Sequence, residues 1–278
     1  MPGIYPLSKI QFPPPKNALL MCSPDYYRIE YEINPWMSLK NQADSEKARN
    51  QWNSLYRLLT EKFGLKVNLA EPQPQLPDFV FTANGGLVAG RRVILSNFKF
   101  QERQRERDYF KEWFFHHQYE IISIPSHLFF EGEGDALWMG KLLFAGHPFR
   151  TDLSSHIFLS RILQCDVISL ELIDPRFYHL DTCFCPLNSE MALFVPEAFS
   201  FHSRKILSSL VKTLIPIKPE EGRLFVSNAI VFEKKIVFQS GAEAAGRRLK
   251  SEGFEVFPLD LSEFIKAGGN AKCLVLWL

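Results

Sequence analysis

The sequence has no charge of one sign to spare. Its 278 residues carry 32 Lys and Arg against 31 Asp and Glu, a net charge of +1. A broad electrostatic grip on nucleic acid or on an anionic membrane is therefore not expected. No apolar run approaches the ~20 residues needed to span a bilayer. The N-terminus has no basic segment followed by an apolar one, and Pro13 to Pro15 would break such a segment. The five cysteines, Cys22, Cys165, Cys183, Cys185 and Cys273, are odd in number and irregular in spacing, which excludes a disulfide framework. Cys183 and Cys185 lack a second pair, so they are a weak metal signal and read as inert packing. What remains is a soluble chain of a reducing compartment, most simply cytoplasmic. Disorder is excluded as the dominant state, because 46% of the residues are hydrophobic and 25 are Phe.

A pattern of strand, hairpin, strand, helix, strand recurs along the chain. The first unit takes strands at Val80 to Thr82 and Val93 to Ser96, a helix from Gln101 to Phe115 and a strand from Glu120 to Ile124. The second pairs Ala136 to Trp138 with Leu142 to Ala145, then a helix from Leu153 to Leu163 and a strand from Cys165 to Leu170. The third starts at Thr182, with strands at Met191 to Val195 and Leu214 to Ile217 and a helix from Phe201 to Val211. The fourth starts at Leu224 and closes through a helix from Ala242 to Lys250 and a strand from Glu255 to Leu259. The fifth is split: Cys273 to Leu278 comes from one end, and Leu19 to Cys22, a helix from Ser45 to Phe63 and Leu65 to Leu69 come from the other. Units of roughly 45–55 residues suit a propeller, and a unit shared by both termini latches a closed ring. The alternative is an open α/β sheet with chance similarity. The expectation is one α/β domain over 1–278, a ring of five units with no second domain.

Four polar, glycine-rich stretches fall where the repeat predicts loops or strand ends. They run from Phe81 to Gly86, Phe130 to Asp135, Tyr178 to Thr182 and Gly268 to Cys273. In a ring, equivalent ends of successive units face one cavity, so these stretches would converge. Cys273 is a candidate nucleophile. His179 is followed two residues on by Asp181, and on a strand the two would share a face. Glu131, Glu133 and Asp135 are carboxylates on glycine-rich backbone. Several carboxylates with a cysteine, on a neutral protein, suit a cationic substrate, and a guanidinium pairs with carboxylates through its planar fork. Each residue has a bland reading as well: a lone Cys in an apolar strand is usually a small buried hydrophobe. Arg103 lies in the charged run Gln101 to Asp108, whose default is a solvated helix face.

At these four stretches the chain resembles the guanidino-group-modifying superfamily, the amidinotransferases or penteins. His179-Leu-Asp181-Thr and Gly268-Gly-Asn-Ala-Lys-Cys273 are the most specific pieces, and the resemblance covers nearly the whole chain. It implies a five-bladed α/β propeller of pseudo-fivefold ββαβ units and a hydrolase of arginine or a methylated arginine that uses neither metal nor organic cofactor. By position, Cys273 resembles the family nucleophile and His179 its acid and base. Glu131 resembles the glutamate that holds the guanidino group, with Glu133 as the competing assignment, and Asp181 the aspartate after the histidine. Asn84, Asp78, Arg103 and Arg150 fall among substrate-binding positions, the two arginines on the substrate carboxylate. Asn84 stands where relatives carry Asp. That feature, with Tyr31 to Met37, is most similar to the arginine dihydrolase branch. The implied partner is a small molecule, with no nucleic acid and no membrane; a homo-oligomer stays open. An amidinotransferase and a non-enzymatic binding ring are the competing classes.

Overall fold

The computed structural model describes residues 18–278; the Pro13 to Pro15 segment lies outside the described residues. Its strands are β1 (Ala18–Cys22), β2 (Lys66–Ala70), β3 (Gly86–Ala89), β4 (Arg92–Leu95), β5 (Glu120–Ser123), β6 (Ala136–Met139), β7 (Leu142–His147) and β8 (Val167–Glu171). They continue with β9 (Phe184–Pro186), β10 (Met191–Phe194), β11 (Thr213–Pro216), β12 (Ile230–Phe232), β13 (Lys235–Gln239), β14 (Glu255–Leu259) and β15 (Leu276–Trp277). They form five three-stranded sheets: β3-β4-β5, β6-β7-β8, β9-β10-β11, β12-β13-β14 and β15-β1-β2. In each, the first two strands are antiparallel and the last two parallel, as β3–β4 and β4–β5 show. A two-strand hairpin needs only a tight turn, whereas a parallel partner needs a crossover, which a helix supplies. The split fifth blade is closed by antiparallel pairing of β1 with β15, Leu19 opposite Trp277.

The blades form a ring. A cavity of about 870 Å³ is lined by a residue from the first strand of every blade: Val88, Leu137, Cys185, Val231 and Trp277. Only an axis of a ring touches all five. The middle strands are almost wholly buried and the third strands half-exposed. The helix Ser45–Arg57 buries Ala48, Gln51, Trp52 and Leu55, a spacing of three, one and three that marks a single face. Asp44 caps it by accepting from the Lys47 amide.

Several boundaries differ from the sequence reading for one reason. Val80 to Thr82 is not a strand; 3₁₀ turns cover Pro77–Val80 and Thr82–Gly85. The strand expected from Cys273 shrinks to Leu276–Trp277, with Lys272–Leu274 in another such turn. In both places the chain tightens just before its first strand, which turns side chains toward the axis instead of into a sheet. The helix expected from Gln101 breaks at Arg105 into Gln101–Gln104 and Glu106–His116. The helix from Ser45 ends at Arg57 and widens into a π turn, Leu58–Lys62.

Candidate active site

Every blade contributes the turn before its first strand to one end of the ring. These turns are Thr82–Gly85, Gly132–Gly134, Leu180–Thr182 and Lys272–Leu274, with Ser227-Asn228 standing ahead of β12. Glycines permit the crowding. Gly132 has φ +59°, and a Cβ there would come within 2.8 Å of the Ala83 carbonyl and the Gly86 amide. A Cβ on Gly134 would collide with the Asn84 side chain and sit 3.3 Å from the His179 ring.

Cys273 is 2% exposed. Its thiol lies 3.5 Å from Asp181 Oδ2 and donates to it. Asn228 grips the same residue twice: its Nδ2 is 3.1 Å from Sγ, and its Oδ1 accepts from the Cys273 amide at 3.1 Å. Burial, with the Asp181 charge beside it, holds the thiol well above its ordinary range, against the pull of Lys272 and Asn228. Burial also pushes the Asp181 carboxyl up to about 7, although Lys272, Cys273 and Asn228 pull it down.

His179 pairs with Glu131, not with Asp181. Its Nε2 is 2.8 Å from Glu131 Oε2. The i, i+2 expectation required an extended strand; the 3₁₀ turn Leu180–Thr182 swings Asp181 toward Cys273 instead. Burial lowers His179 to about 4, although Glu131 favours its charged form. Burial would raise Glu131, but Arg150 and His179 together bring it down to about 2. An ionised Glu131 accepts only, so His179 must carry its proton on Nε2, and Nδ1 is left as a proton acceptor. Arg150 donates from Nη1 to Glu131 at 3.1 Å and from Nη2 to the Ile33 carbonyl at 3.1 Å. Its guanidinium also lies over the rings of Phe100 and Tyr178, 4.6 Å from each centroid.

Arg103 is buried at 3% exposure, so it does not lie on a solvated helix face. It makes four hydrogen bonds: Nε and Nη2 to the two oxygens of Glu106 at 2.8 and 2.7 Å, Nη1 to Asn84 Oδ1 at 2.9 Å, and Nη2 to the Asp78 carbonyl at 3.2 Å. These use four of its five N–H donors, which leaves one for the expected grip on a substrate carboxylate. The Asp78 carboxylate stands 3.8 Å from Arg103 Nε, and burial raises its pKa. Burial likewise pushes Glu106 up, against the pull of Arg103. Glu133, the competitor of Glu131, goes another way: its Oε2 pairs with Lys272 Nζ at 2.9 Å.

The site therefore draws together Cys273, His179, Glu131, Asp181, Asn84, Asp78, Arg103 and Arg150, all buried. Sequence reasoning passed over Asn228, Glu106 and Lys272. The fourth unit showed no motif, yet a polar pair two residues before its first strand, Ser227-Asn228, was the available signal. Three side-chain atoms in the site are buried without a hydrogen-bond partner among the described residues: the donor Asn84 Nδ2 and the acceptors Asp78 Oδ1 and Asp181 Oδ1. Such atoms cost about 1–3 kcal/mol each unless a ligand engages them. Among the described residues no group of three His, Cys, Asp or Glu side chains is placed to hold a metal ion, and no helix is long and apolar enough to cross a membrane.

The family model described as N,N dimethylarginine dimethylhydrolase, eukaryotic, matches residues 29–278. The chain is 44% identical over 262 residues to AgrE of Nostoc sp., a bifunctional arginine dihydrolase/ornithine cyclodeaminase, covering 92% of this chain and 37% of that protein. It is 35% identical over 263 residues to the N(G),N(G)-dimethylarginine dimethylaminohydrolase of Mycobacterium tuberculosis, covering 95% of this chain and 86% of that one. Among solved structures, the N-terminal domain of ArgZ matches with a TM-score of 0.90 at 40% identity, over 94% of this chain and 97% of that one; ArgZ is a cyanobacterial arginine dihydrolase, there a cysteine-to-serine mutant bound to its substrate. The chain spans little more than a third of the length of the bifunctional relatives it matches. On its match over 29–278 and its identity to these relatives, the chain belongs to the dimethylarginine dimethylaminohydrolase family.

Proposed function

We propose that this chain hydrolyses the guanidino group of free L-arginine to ornithine, ammonia and carbon dioxide, through a covalent adduct on Cys273. The observation that carries the reading is the orientation of Asn84. Arg103 has only donors, so the Asn84 group it meets at 2.9 Å is the oxygen. The NH₂ is thereby turned toward Gly134 and His179, buried and unpartnered. A guanidinium offers no acceptor for it, but a ureido oxygen does. Citrulline, the product of a first hydrolysis, would be held and attacked again.

The steps follow from the residues. A cationic guanidinium beside Asp181 and Asp78 favours their charged forms and the Cys273 thiolate. Sγ attacks the guanidino carbon while His179 takes the thiol proton and passes it to the departing nitrogen, which leaves as ammonia. Water then gives a proton to His179 and displaces the thiolate, leaving citrulline. In a second round Sγ attacks the ureido carbon and the ornithine amine leaves protonated. Water releases carbamate, which breaks down to ammonia and carbon dioxide. Two waters are consumed per arginine. Glu131 orients His179, and Arg150 steadies Glu131. A free-thiol nucleophile also suits a reducing, cytoplasmic setting.

The second reading is a dimethylarginine hydrolase releasing dimethylamine and citrulline; the Mycobacterium tuberculosis relative favours it. Incubation with arginine and with asymmetric dimethylarginine, with products identified by mass, separates the two. We expect ornithine from arginine with little free citrulline, and Asn84→Asp diverting the product to citrulline. Citrulline in full yield from the unaltered protein would leave a deiminase. Turnover of dimethylarginine alone would establish the second reading.

A further inference from the structure

We propose that the buried Lys272–Glu133 ion pair sets the charge at the nucleophile: Glu133 pins the Lys272 ammonium behind Cys273, where it helps carry the negative charge that develops on Sγ and Asp181. The pair lies outside the reacting groups, and both side chains are nearly inaccessible, at 8% and 7% exposure. Lys272 Nζ donates to Glu133 Oε2 at 2.9 Å and to the Val275 carbonyl at 3.2 Å. The same Glu133 oxygen accepts from the Trp277 amide at 3.3 Å. These bonds tie the turn that carries Cys273 and the strand after it to the Gly132–Gly134 turn, which follows Glu131. Lys272 is next to Cys273 in the chain, and Glu133 is two residues from Glu131. Both also line the axial cavity, so the pair forms the wall between that cavity and the site.

A buried ion pair is a poor way to gain stability, since an apolar pair of similar volume does as well or better. Its position suggests an electrostatic task. The groups facing Cys273 are Asp181 from the Leu180–Thr182 turn, Tyr178 ahead of it, the neutral Asn228, and Lys272 on its own turn. Lys272 is the cation of that set. The Lys272 charge favours the ionised forms of both Cys273 and Asp181, and Glu133 opposes it at Asp181. Lys272 is therefore a positioning residue whose charge Glu133 partly offsets.

This rests on Cys273 being the nucleophile, but its test needs no turnover. Alkylation of Cys273 by iodoacetamide is followed on the free protein from pH 6 to 10, reading the Cys273 peptide by mass. Lys272→Met should slow alkylation at neutral pH by about tenfold and move its pH profile upward. Glu133→Gln keeps an acceptor for Lys272 but removes the opposing charge, so it should speed alkylation several-fold and move the profile downward. Opposite signs are the signature, because a purely structural pair would shift both variants the same way. Where Lys272→Met does not fold, Glu133→Gln decides alone: faster alkylation supports the proposal, and slower or unchanged alkylation overturns it. Loss of arginine turnover in the presence of normal alkylation shifts would strike the proposed reaction and leave this inference standing.

Discussion

Two buried polar groups meet in the site and are built on opposite principles. Around Arg103 the guanidinium itself is nearly closed off: Glu106 takes it with both oxygens, and Asn84 and the Asp78 carbonyl take further donors, while only the Asp78 Oδ1 beside it lacks a partner among the described residues. Around Cys273 the group is left open: the thiol leans on Asp181 Oδ2 and Asn228, while Asp181 Oδ1 has no partner among the described residues. A closed group is a support, because further ligands would have to displace hydrogen bonds already made. An open one is where a substrate recovers the desolvation cost of the buried atoms. Asn84 belongs to both, with its oxygen fixed by the closed group and its NH₂ offered to the open one.

The strongest way to break the comparison is at the open group. Cys273→Ser should remove measurable turnover of arginine, with a melting temperature close to that of the unaltered protein. Retained turnover would end the covalent mechanism. His179→Ala should slow turnover by about a hundred- to ten-thousand-fold with a modest change in KM, and a near-normal kcat would remove His179 from proton transfer.

The closed group should fail in the other currency. Glu106→Gln leaves the Arg103 guanidinium buried with its main counter-charge gone, at a cost of about 3–5 kcal/mol, read by urea unfolding. A change below about 1 kcal/mol would mean that Arg103 is steadied chiefly by Asn84 and Asp78. The smallest effect is one of pH. His179 is lowered from 6.5 to about 4, so between those values the unfolded chain binds the proton and the folded one does not. Stability from this residue is complete above pH 6.5 and is lost as the pH falls toward 4. Glu131, held at about 2 against an ordinary 4.5, extends the loss below that. Asp181, raised to about 7, works in the opposite sense, its contribution falling as pH rises from about 4 to 7. Unfolding at pH 6.5 and pH 4 should therefore show the unaltered protein losing about 2–3 kcal/mol more than His179→Gln. Equal losses would place the His179 proton elsewhere.

Much of the fold was legible along the chain, because periodicity is a local property. The helix from Leu153 to Leu163 and the strand from Glu255 to Leu259 were placed to the residue. Their neighbours shifted by one to a few residues, as with β8, which begins at Val167 instead of Cys165. Two of the turns before the first strands look like strand in the sequence because residues such as Val80, Phe81 and Thr82 are β-branched or aromatic types that favour strands. Crowding around the axis, which no window of sequence contains, bends that segment inward. The candidate site was legible as a set of residues and illegible as a set of partnerships. Nothing near His179 in the chain indicates that Glu131, 48 positions away, takes its Nε2, and nothing near Arg103 separates a solvated helix face from a buried clamp.

The sequence by itself determined the alternation of strands and helices, the split fifth unit and the types of residue at four strand starts. Those follow from hydrophobic spacing, glycine placement and the chemistry of short motifs. Only the tertiary structure decided which carboxylate serves which base, that Asn228 holds the Cys273 thiol, and that Lys272 and Glu133 meet across the axis. Each of these joins residues from different blades, and closing the ring is what removes them from water and forces each buried charge to find a partner.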